Sequence, residues 1–494
     1  MARDSDRLRG AIAVTRFGLG ARPGEIEAAS NDPQGWLRAQ IRREGADQPV
    51  GAPLPQPTAK APAAMGAMTA PGEGANAPTP PAQLSFAAGQ SLPSMREAYG
   101  VFASYQDQKK ADKGDPLARR DAVAPLYQMA GEEILARARL AAGTGAPFRE
   151  RWALFWANHF TVSAKSLPMT VATGPFEREA IRPNVFGRFE DLLVASTGHP
   201  GMLLYLDQAQ SIGPNSPAGV RGRGGLNENL GREILELHTV GADAGYTQAD
   251  VTEFARALTG WSIGRDNARE SAAPGTFIFR PQVHEPGART VMGKTYSDDQ
   301  GFQALAILKT LAAHPKTAAR LSHKIAAHFV ADDPPPALVA HLTQAWVTSR
   351  GDLGQVAAAL IEAPEAWAPR PAKFKTPYEF MASMYRAADT LPVDPAKEVV
   401  QPLKALGQAP FGAAQPNGWS DVAADWAAPD AIVKRLTWAQ AFAAAHVPQT
   451  EPKVLAASAL GERLTPKTAT AVARAESRPE AFAILVMSPE FQRR

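Results

Sequence analysis

Cysteine is absent from the 494 residues of this chain. Its absence excludes disulfide bonds, cysteine-ligated zinc, iron–sulfur clusters and a cysteine nucleophile. A chain of this length can bury enough apolar surface to fold without such cross-links. Composition therefore leaves any metal or cofactor unknown, and other side chains would have to hold it.

An excess of charge of either sign is also lacking. The 52 Lys and Arg residues nearly balance the 49 Asp and Glu residues, which leaves a formal net charge of +3. The sequence contains no run of basic residues of the kind that marks a nucleic-acid-binding arm. We therefore expect no nucleic-acid partner.

Long apolar runs are missing as well. The longest candidate, residues 192–206, is interrupted by Gly198, His199 and Pro200, whereas a membrane span needs roughly 20 apolar residues. The first residues lack the apolar core of a signal peptide. As written, the chain is predicted to have no membrane span and to be cytoplasmic, and export would require that the start site is misassigned.

Several motifs of known chemistry are not found. There is no His-Glu-x-x-His zinc motif, and His323 and His328 are five residues apart, which does not place both on one helix face. Gly287 and Gly293, followed by Lys294, resemble a phosphate loop but have one residue too many between the glycines. The sequence therefore predicts no nucleotide loop.

The pattern that dominates the chain is helical. From about residue 94, apolar residues recur at spacings of three and four, and Thr247 with Asp250 has the spacing of a capping box. Residues 12–43 are too few to be stable alone and are expected to pack on the main body. The predicted fold class is mostly α, with a single multi-helix domain spanning residues 1–494.

Two segments depart from the helical pattern. Residues 49–83 are rich in proline and alanine and contain no Ile, Phe, Tyr or Trp, so we predict a disordered, flexible insertion. Residues 277–295 contain two β-type runs on either side of Pro286 and Gly287. They are predicted to form one small β-hairpin.

One predicted helix, residues 227–239, carries the densest group of ionisable side chains. Its apolar residues form one stripe, and its carboxylates lie on the opposite face. Because neighbouring carboxylates raise one another's pKa, Glu233 and Glu236 are candidate catalytic acid/base residues or metal ligands.

The same helix supplies three further candidates. Asn229 would orient a substrate, Arg232 would bind an anionic group, and His238 would carry a proton in catalysis. The structural alternative is a solvated helix face on which Arg232 pairs with carboxylates four residues away.

Three histidines outside this helix are candidates as well. His159 comes four residues after Phe155 and lies on a predicted helix face that is rich in aromatic residues. There it would act as a catalytic histidine. His199 at a helix break and His284 at the predicted hairpin are candidate substrate-binding residues. The structural alternatives are a buried histidine with one hydrogen-bond partner, and turn residues.

Three late tryptophans, Trp419, Trp426 and Trp438, lie near one another in the sequence. They would form either an aromatic platform for a sugar or ordinary helix-packing contacts.

Taken together, these segments resemble the bacterial domain-of-unknown-function family 1800. The similarity rests on segments distributed over nearly the whole chain, namely residues 16–24, 155–160, 199–207, 227–241, 246–251, 258–261, 284, 292–294 and 374–377. The resemblance implies a single helical domain, without an activity, substrate or cofactor that can be transferred. Members of the family are often exported and are often encoded beside a sulfatase-like protein, which is therefore the one partner that the resemblance suggests.

Two hypotheses follow from the sequence. In the first, the protein is a hydrolase-type enzyme with a carboxylate/histidine pocket, with or without a divalent metal. In the second, it is a non-catalytic binding or assembly protein in which the 227–238 cluster is a structural salt-bridge network. Convergence of His159, Glu233 and His284 on one open pocket would favour the enzyme.

Overall fold

A computed structural model describes residues 2–51, 91–111, 116–222, 224–264, 273–446 and 449–494. Most of the insertion predicted at residues 49–83 lies outside these ranges. Within them, no helix combines the length and the apolar composition that a membrane crossing requires.

Helices make up most of the regular structure, so the prediction of a mostly α fold is confirmed. The first half of the described chain contains α1 Ala2–Ile12, α2 Glu25–Ser30, α3 Pro33–Arg38, α4 Met95–Ala111, α5 Pro116–Gly143, α6 Pro147–His159, α7 Leu167–Phe176, α8 Phe189–Gly198, α9 Pro200–Tyr205, α10 Asn229–Glu233 and α11 Gln248–Leu258. The second half contains α12 Gly301–Ala312, α13 Pro315–Phe329, α14 Pro336–Ser349, α15 Leu353–Glu362, α16 Pro377–Ala387, α17 Gln401–Ala405, α18 Pro429–Ala445, α19 Pro452–Leu460, α20 Pro466–Ala473, α21 Arg478–Met487 and α22 Pro489–Gln492.

Other helical forms adjoin these helices. The π-helical turns are Ala13–Phe17, Glu177–Ile181, Ile234–His238 and Pro395–Val400. The 3₁₀ turns are Arg182–Asn184, Gln208–Gln210, Gly219–Arg221, Ala242–Ala244, Pro281–Val283, Pro364–Trp367, Ala423–Asp425 and Gly461–Arg463.

The β-structure differs from the prediction in its pairing. Strand β1, Trp261–Ile263, pairs antiparallel with β2, Phe277–Phe279, and β3, Arg289–Val291, pairs antiparallel with β4, Lys294–Tyr296. The predicted hairpin between the two runs that flank Pro286 is therefore wrong. The turn that nucleates β3 and β4 is instead two residues long and has positive φ at both positions, which is the geometry that suits a tight hairpin.

Two helix boundaries were correctly predicted from local sequence. Thr247 accepts a hydrogen bond from the backbone N–H of Asp250 while the Asp250 carboxylate accepts one from the Thr247 N–H, which completes the capping box of α11. The chain also breaks between α8 and α9 at His199, whose Nδ1 caps α9 by accepting a hydrogen bond from the Gly201 N–H.

The N-terminal segment packs on the main body, as predicted. Ile12, Phe17 and Leu37 are fully buried in the larger of the apolar clusters. The ring of Phe17 lies 6.3 Å from that of Phe148 and 4.9 Å from that of Trp367, which joins the two ends of this cluster. Burying such aromatic surface is the main source of stability for a segment this short.

A second apolar cluster is formed mainly by α16, α18, α19 and α21, with Phe380, Phe442 and Leu485 among its buried residues. Between the two clusters, α6, α13 and α16 present their polar side chains to a loop around residues 408–421. This junction leaves a cleft that residues of α6, α13, α16 and this loop line.

Candidate functional site

The acidic helix predicted at residues 227–239 is divided into two forms. Helix α10 is regular and runs directly into the π-helical turn Ile234–His238, which Thr239 closes by donating a 2.7 Å hydrogen bond to the Ile234 carbonyl. The wider turn carries His238 into the core, where it is 1% exposed, while Glu236 remains partly exposed. A π-helical turn often marks a functional position because it redirects a side chain in this way.

Glu233 and Glu236 both lie on the partly exposed face of this helix. Within the described part of the chain, neither carboxylate has a hydrogen-bond partner. Burial, together with the charge of Glu236, raises the pKa of Glu233 above its ordinary value. Glu233 is therefore a weaker acid than an ordinary glutamate. Neither Glu233 nor Glu236 lines the cleft.

Arg232 is engaged at the surface. Its Nη2 lies 3.0 Å from Glu228 Oε2 and donates a 2.9 Å hydrogen bond to Gln248 Oε1. The side chains of Arg232 and Glu228 are 38% and 30% exposed, and Asn229 is exposed. The expected i,i+4 pair is present, and neither Arg232 nor Asn229 points into an enclosed pocket.

His159 and His238 lie side by side in the core. The ring centroids are 5.9 Å apart, and His159 Nε2 lies 3.2 Å from the carbonyl oxygen of His238. On the other side of the ring, Lys324 Nζ lies 3.2 Å from His159 Nδ1. Both nitrogens of His238 are buried, and neither has a hydrogen-bond partner in the part of the chain that the structure describes. Burial and the neighbouring charge of Lys324 lower the pKa of both histidines, that of His238 to about 3, so both rings are neutral at pH 7.

His199 and His284 lie away from this pair and are held by separate partners. His199 Nε2 is 3.1 Å from Glu179 Oε2, and His284 Nδ1 is 2.7 Å from the Thr259 carbonyl oxygen. Both side chains are buried. His159, Glu233 and His284 thus do not converge on one open pocket, because two of the three are buried among different partners.

The cleft between α6, α13, α16 and the 408–421 loop has an internal volume of about 110 Å³. It admits a small polar group rather than a bulky ligand. The lining side chains that matter for chemistry are Arg151, Asn158, His328, Glu379, Trp419 and Asp421.

His328 and Asp421 form the most informative pair in this cleft. His328 Nδ1 lies 2.7 Å from Asp421 Oδ1, and His328 Nε2 is buried without a hydrogen-bond partner among the described residues. Burial lowers the pKa of His328 despite the opposing pull of Asp421, so the ring is neutral at pH 7. Although burial alone would raise the pKa of Asp421, His328 and Lys373 hold it below its ordinary value. The neutral ring therefore donates from Nδ1 to the carboxylate and presents a free lone pair at Nε2.

Arg151 and Glu379 form a charged wall of the same cleft. Arg151 Nη1 lies 2.5 Å from Glu379 Oε1, and Arg494 contacts the same carboxylate at 2.9 Å. Burial alone would raise the pKa of Glu379, but these two guanidinium groups lower it, so Glu379 stays ionised. Arg151 Nη2 is buried and has no partner within the described residues, which leaves one donor free for a bound oxygen.

The loop that carries Asp421 is fixed to α6 by Asn158. The Asn158 side chain donates a 2.9 Å hydrogen bond to the Trp419 carbonyl and accepts a 2.8 Å hydrogen bond from the Trp419 N–H. Trp419 lies 6.2 Å from Trp426, while Trp438 packs against Phe380 elsewhere. One of the three late tryptophans therefore lines the cleft, and Trp438 has the helix-packing role.

Sequence reasoning did not select His328, Asp421, Arg151 or Glu379. The pattern that could have revealed part of the site is the spacing of Arg320, Lys324 and His328, which are four residues apart on one face of α13. Because His328 was compared only with His323, the row that it forms with Arg320 and Lys324 was not recognised. Its partners come from α6 and the 408–421 loop, which no local pattern connects to α13.

The structure also bears on metal binding. Within the described ranges, no three His, Asp or Glu side chains come close enough together to hold a metal ion. The carboxylates that line the cleft are engaged by arginine or histidine.

Comparison with known proteins gives a family and no function. No curated protein and no solved structure matches the chain at a significant level. The sequence model of a family described as "Protein of unknown function (DUF1800)" matches residues 12–493. This match covers nearly the whole chain, and the protein belongs to the DUF1800 family.

Proposed function

We propose that the protein is a hydrolase-type enzyme whose active site is the cleft that His328 and Asp421 line. The observation that carries the proposal is the Nε2 of His328, a buried nitrogen that has no partner within the described ranges, on a ring whose Nδ1 lies 2.7 Å from Asp421. Leaving a buried polar atom unpaired costs about 1–3 kcal/mol. Such a cost is expected where the atom is reserved for a substrate or a water molecule.

In this proposal His328 is the general base. Its neutral ring takes a proton from a water molecule at Nε2, and the ionised Asp421 stabilises the imidazolium that forms. The activated water attacks the carbonyl carbon of an ester, and Arg151 Nη2 stabilises the negative charge that develops on the carbonyl oxygen. His328 then returns the proton to the leaving alcohol.

The residues selected from sequence hold other positions in this proposal. Glu233, Glu236, His159 and His238 do not line the cleft, and their catalytic assignment remains a prediction. His199 and His284 do not line the cleft, so substrate binding is assigned in this proposal to Arg151 and Trp419, which do.

The proposal is tested by ester hydrolysis with p-nitrophenyl acetate as the probe. We expect the wild-type rate to exceed that of His328→Gln by at least about a hundredfold, since a positioned general base contributes roughly 10²–10⁴-fold. The matched control is His323→Gln, because His323 is an exposed histidine of the same helix. Equal rates for the wild type and His328→Gln, or no hydrolysis by a folded wild type, would remove the proposal.

The second candidate function is a non-catalytic binding or assembly protein. It is favoured by the extent of internal ion pairing, since Arg182, Glu150 and Glu177 form a buried network that needs no ligand. The surface pair of Arg232 with Glu228 is too exposed to be the network that the sequence suggested. On this hypothesis, no variant of His328 changes any catalytic rate, and a bound protein partner survives these substitutions.

A further inference from the structure

We propose that Lys324 is a nucleophilic amine that forms a Schiff base with small anionic carbonyl compounds, the class to which 2-oxo acids belong. This reaction is separate from hydrolysis in the cleft, and it requires neither His328 nor a bound ester. Lys324 lies near the centre of α13, close to His159, His238 and Arg320.

The amine of Lys324 has an unusual environment. Its one hydrogen bond within the described residues joins Nζ to His159 Nδ1 at 3.2 Å. No carboxylate oxygen of the described chain lies within ion-pair distance of Nζ. Most lysines are exposed and solvated, or paired with an acid, and Lys324 is neither. Lys324 as a whole residue is nevertheless partly exposed.

The contact with His159 assigns the direction of proton transfer. A carbonyl oxygen only accepts, so His159 Nε2 must donate to the His238 carbonyl at 3.2 Å. In the neutral ring the proton is then on Nε2, and Nδ1 presents a lone pair to the amine. His159 is therefore oriented to accept a proton from the Lys324 ammonium.

The surroundings favour the free amine. Burial and the charge of Arg320 lower the pKa of Lys324 to about 8, against the opposing charge of Asp421. The other charged group in the vicinity is Glu236, which acts on Arg320. His159 and His238 are both neutral at pH 7, so neither ring adds a charge beside the amine. A lysine that is desolvated beside another cation is the arrangement by which enzymes activate an amine.

The chemical step balances with the carbonyl compound as the one co-reactant. The Nζ lone pair attacks the carbonyl carbon, and the carbonyl π electrons move onto the oxygen. His159 Nδ1 takes one proton from the nitrogen and delivers it to this oxygen, which gives the carbinolamine. The nitrogen lone pair then expels the hydroxyl group, and the second nitrogen proton passes through His159 to this hydroxyl, so that water leaves and a neutral C=N bond remains. No electron is gained or lost, and no oxidant or reductant takes part.

The preference for an anionic compound follows from the charges around the amine. The guanidinium group of Arg320 lies close to the amine and donates hydrogen bonds to the Leu237 and Thr239 carbonyls. Both ring nitrogens of His238 are without partners within the described residues. A carboxylate beside the reacting carbonyl would accept a hydrogen bond from the protonated ring nitrogen of His238 and would be attracted by the positive charge of Arg320.

The experiment traps the imine. The full chain is incubated at pH 8 with glyoxylate and sodium cyanoborohydride, and the modification of each lysine is followed by peptide mass spectrometry. The internal reference is Lys467, an exposed lysine without a partner in the described structure. We expect Lys324 to be modified at least about tenfold faster than Lys467, because a pKa of about 8 leaves roughly half of Lys324 unprotonated at this pH.

Variants separate chemistry from folding. Lys324→Arg keeps the charge and should abolish the fast site, with circular dichroism unchanged. His159→Gln should slow modification of Lys324 several-fold without affecting Lys467. Equal or slower modification of Lys324 relative to Lys467 would overturn the proposal. Equally fast trapping of neutral acetaldehyde would overturn the preference for an anion. Neither outcome affects the hydrolytic proposal, which is tested at His328.

Discussion

Arg182 donates two hydrogen bonds of 2.8 Å to the carboxylate of Glu150, and the two side chains are only 0% and 2% exposed. Arg182 also contacts Glu177 at 2.7 Å, and Glu177 is shared with Arg137. The network ties α6 to the π-helical turn after α7. Fixing α6 in this way also fixes Arg151 and Asn158, which line the cleft.

Removal of Arg182 should be strongly destabilising. Arg182→Met leaves the buried carboxylates of Glu150 and Glu177 with less positive charge to balance them. We therefore expect the free energy of unfolding to fall by about 3–5 kcal/mol. Urea denaturation monitored by tryptophan fluorescence measures the change. The matched control is Arg38→Met, because Arg38 pairs with Glu362 while both side chains are about half exposed, at 47% and 50%. The control should change stability by less than about 1 kcal/mol, and equal losses for both variants would refute the role assigned to burial.

The fold was predictable where the decisive interactions are local. The capping box at Thr247 and the break at His199 depend on neighbours within four residues, and both were found. The strand pairing failed because Phe277–Phe279 pairs with Trp261–Ile263, and residues 264–276 lie between them in the chain. A turn sequence at Pro286 does not reveal a partner at that distance.

The candidate site was less predictable for the same reason. His159 and His238 were both selected and do lie together, although they are 79 residues apart. The cleft pair of His328 and Asp421 spans 93 residues, and Arg151 and Glu379 span 228. Side chains of this kind are identified by the packing that brings them together, and spacing along the chain contains no information about it.

Stability should fall as the pH drops below 7, and His238 should account for part of the loss. Burial lowers its pKa from 6.5 to about 3 in the folded protein. Below pH 6.5 the unfolded chain therefore binds a proton that the folded chain does not, so the contribution of His238 to stability is present above pH 6.5 and is lost on acidification. Between pH 7 and pH 5 this amounts to about 2 kcal/mol.

Urea denaturation at these two pH values provides the check. His238→Gln should lose about 2 kcal/mol less than the wild type between pH 7 and pH 5. The exposed His323 serves as the control, because His323→Gln should leave the pH dependence as it is in the wild type. An unchanged slope in His238→Gln would mean that the histidine is protonated in the folded state.

Glu233 and Glu228 should respond oppositely to the same substitution. The pKa of Glu233 is raised by burial and by Glu236, so its ionised form is unfavourable at pH 7 and stability increases as the pH falls through that pKa. Glu233→Gln should therefore change the free energy of unfolding at pH 7 by no more than about 0.5 kcal/mol, or increase it.

Glu228 is the counterpart because its carboxylate has partners. It accepts hydrogen bonds from Thr252 at 2.6 Å, from Gln248 at 2.8 Å and from Arg232 at 3.0 Å. Glu228→Gln replaces one acceptor oxygen with an amide N–H group that faces other donors. We expect it to lower the free energy of unfolding by about 1 kcal/mol. A large loss in Glu233→Gln would instead support the structural-network hypothesis for residues 227–238.

Gly418 should be indispensable for the shape of the cleft. Its φ is +80°, and a Cβ at this position would lie 2.7 Å from Asn158 Oδ1 and 2.8 Å from Thr161 Oγ1. Ala at position 418 would therefore push the loop away from α6 and displace Trp419 and, with it, Asp421.

Gly407 is a suitable control because its φ is +84°, but a Cβ there would meet no atom within 4 Å. Both alanine variants are strained by about 1–2 kcal/mol through the left-handed backbone, so the effect of the clash is the difference between them. We expect Gly418→Ala to lose more stability than Gly407→Ala, and to shift the tryptophan emission to longer wavelength as Trp419 becomes more exposed. If the two variants have the same stability and emission, the loop tolerates the displacement, and the contact with Asn158 does not hold Asp421 beside His328.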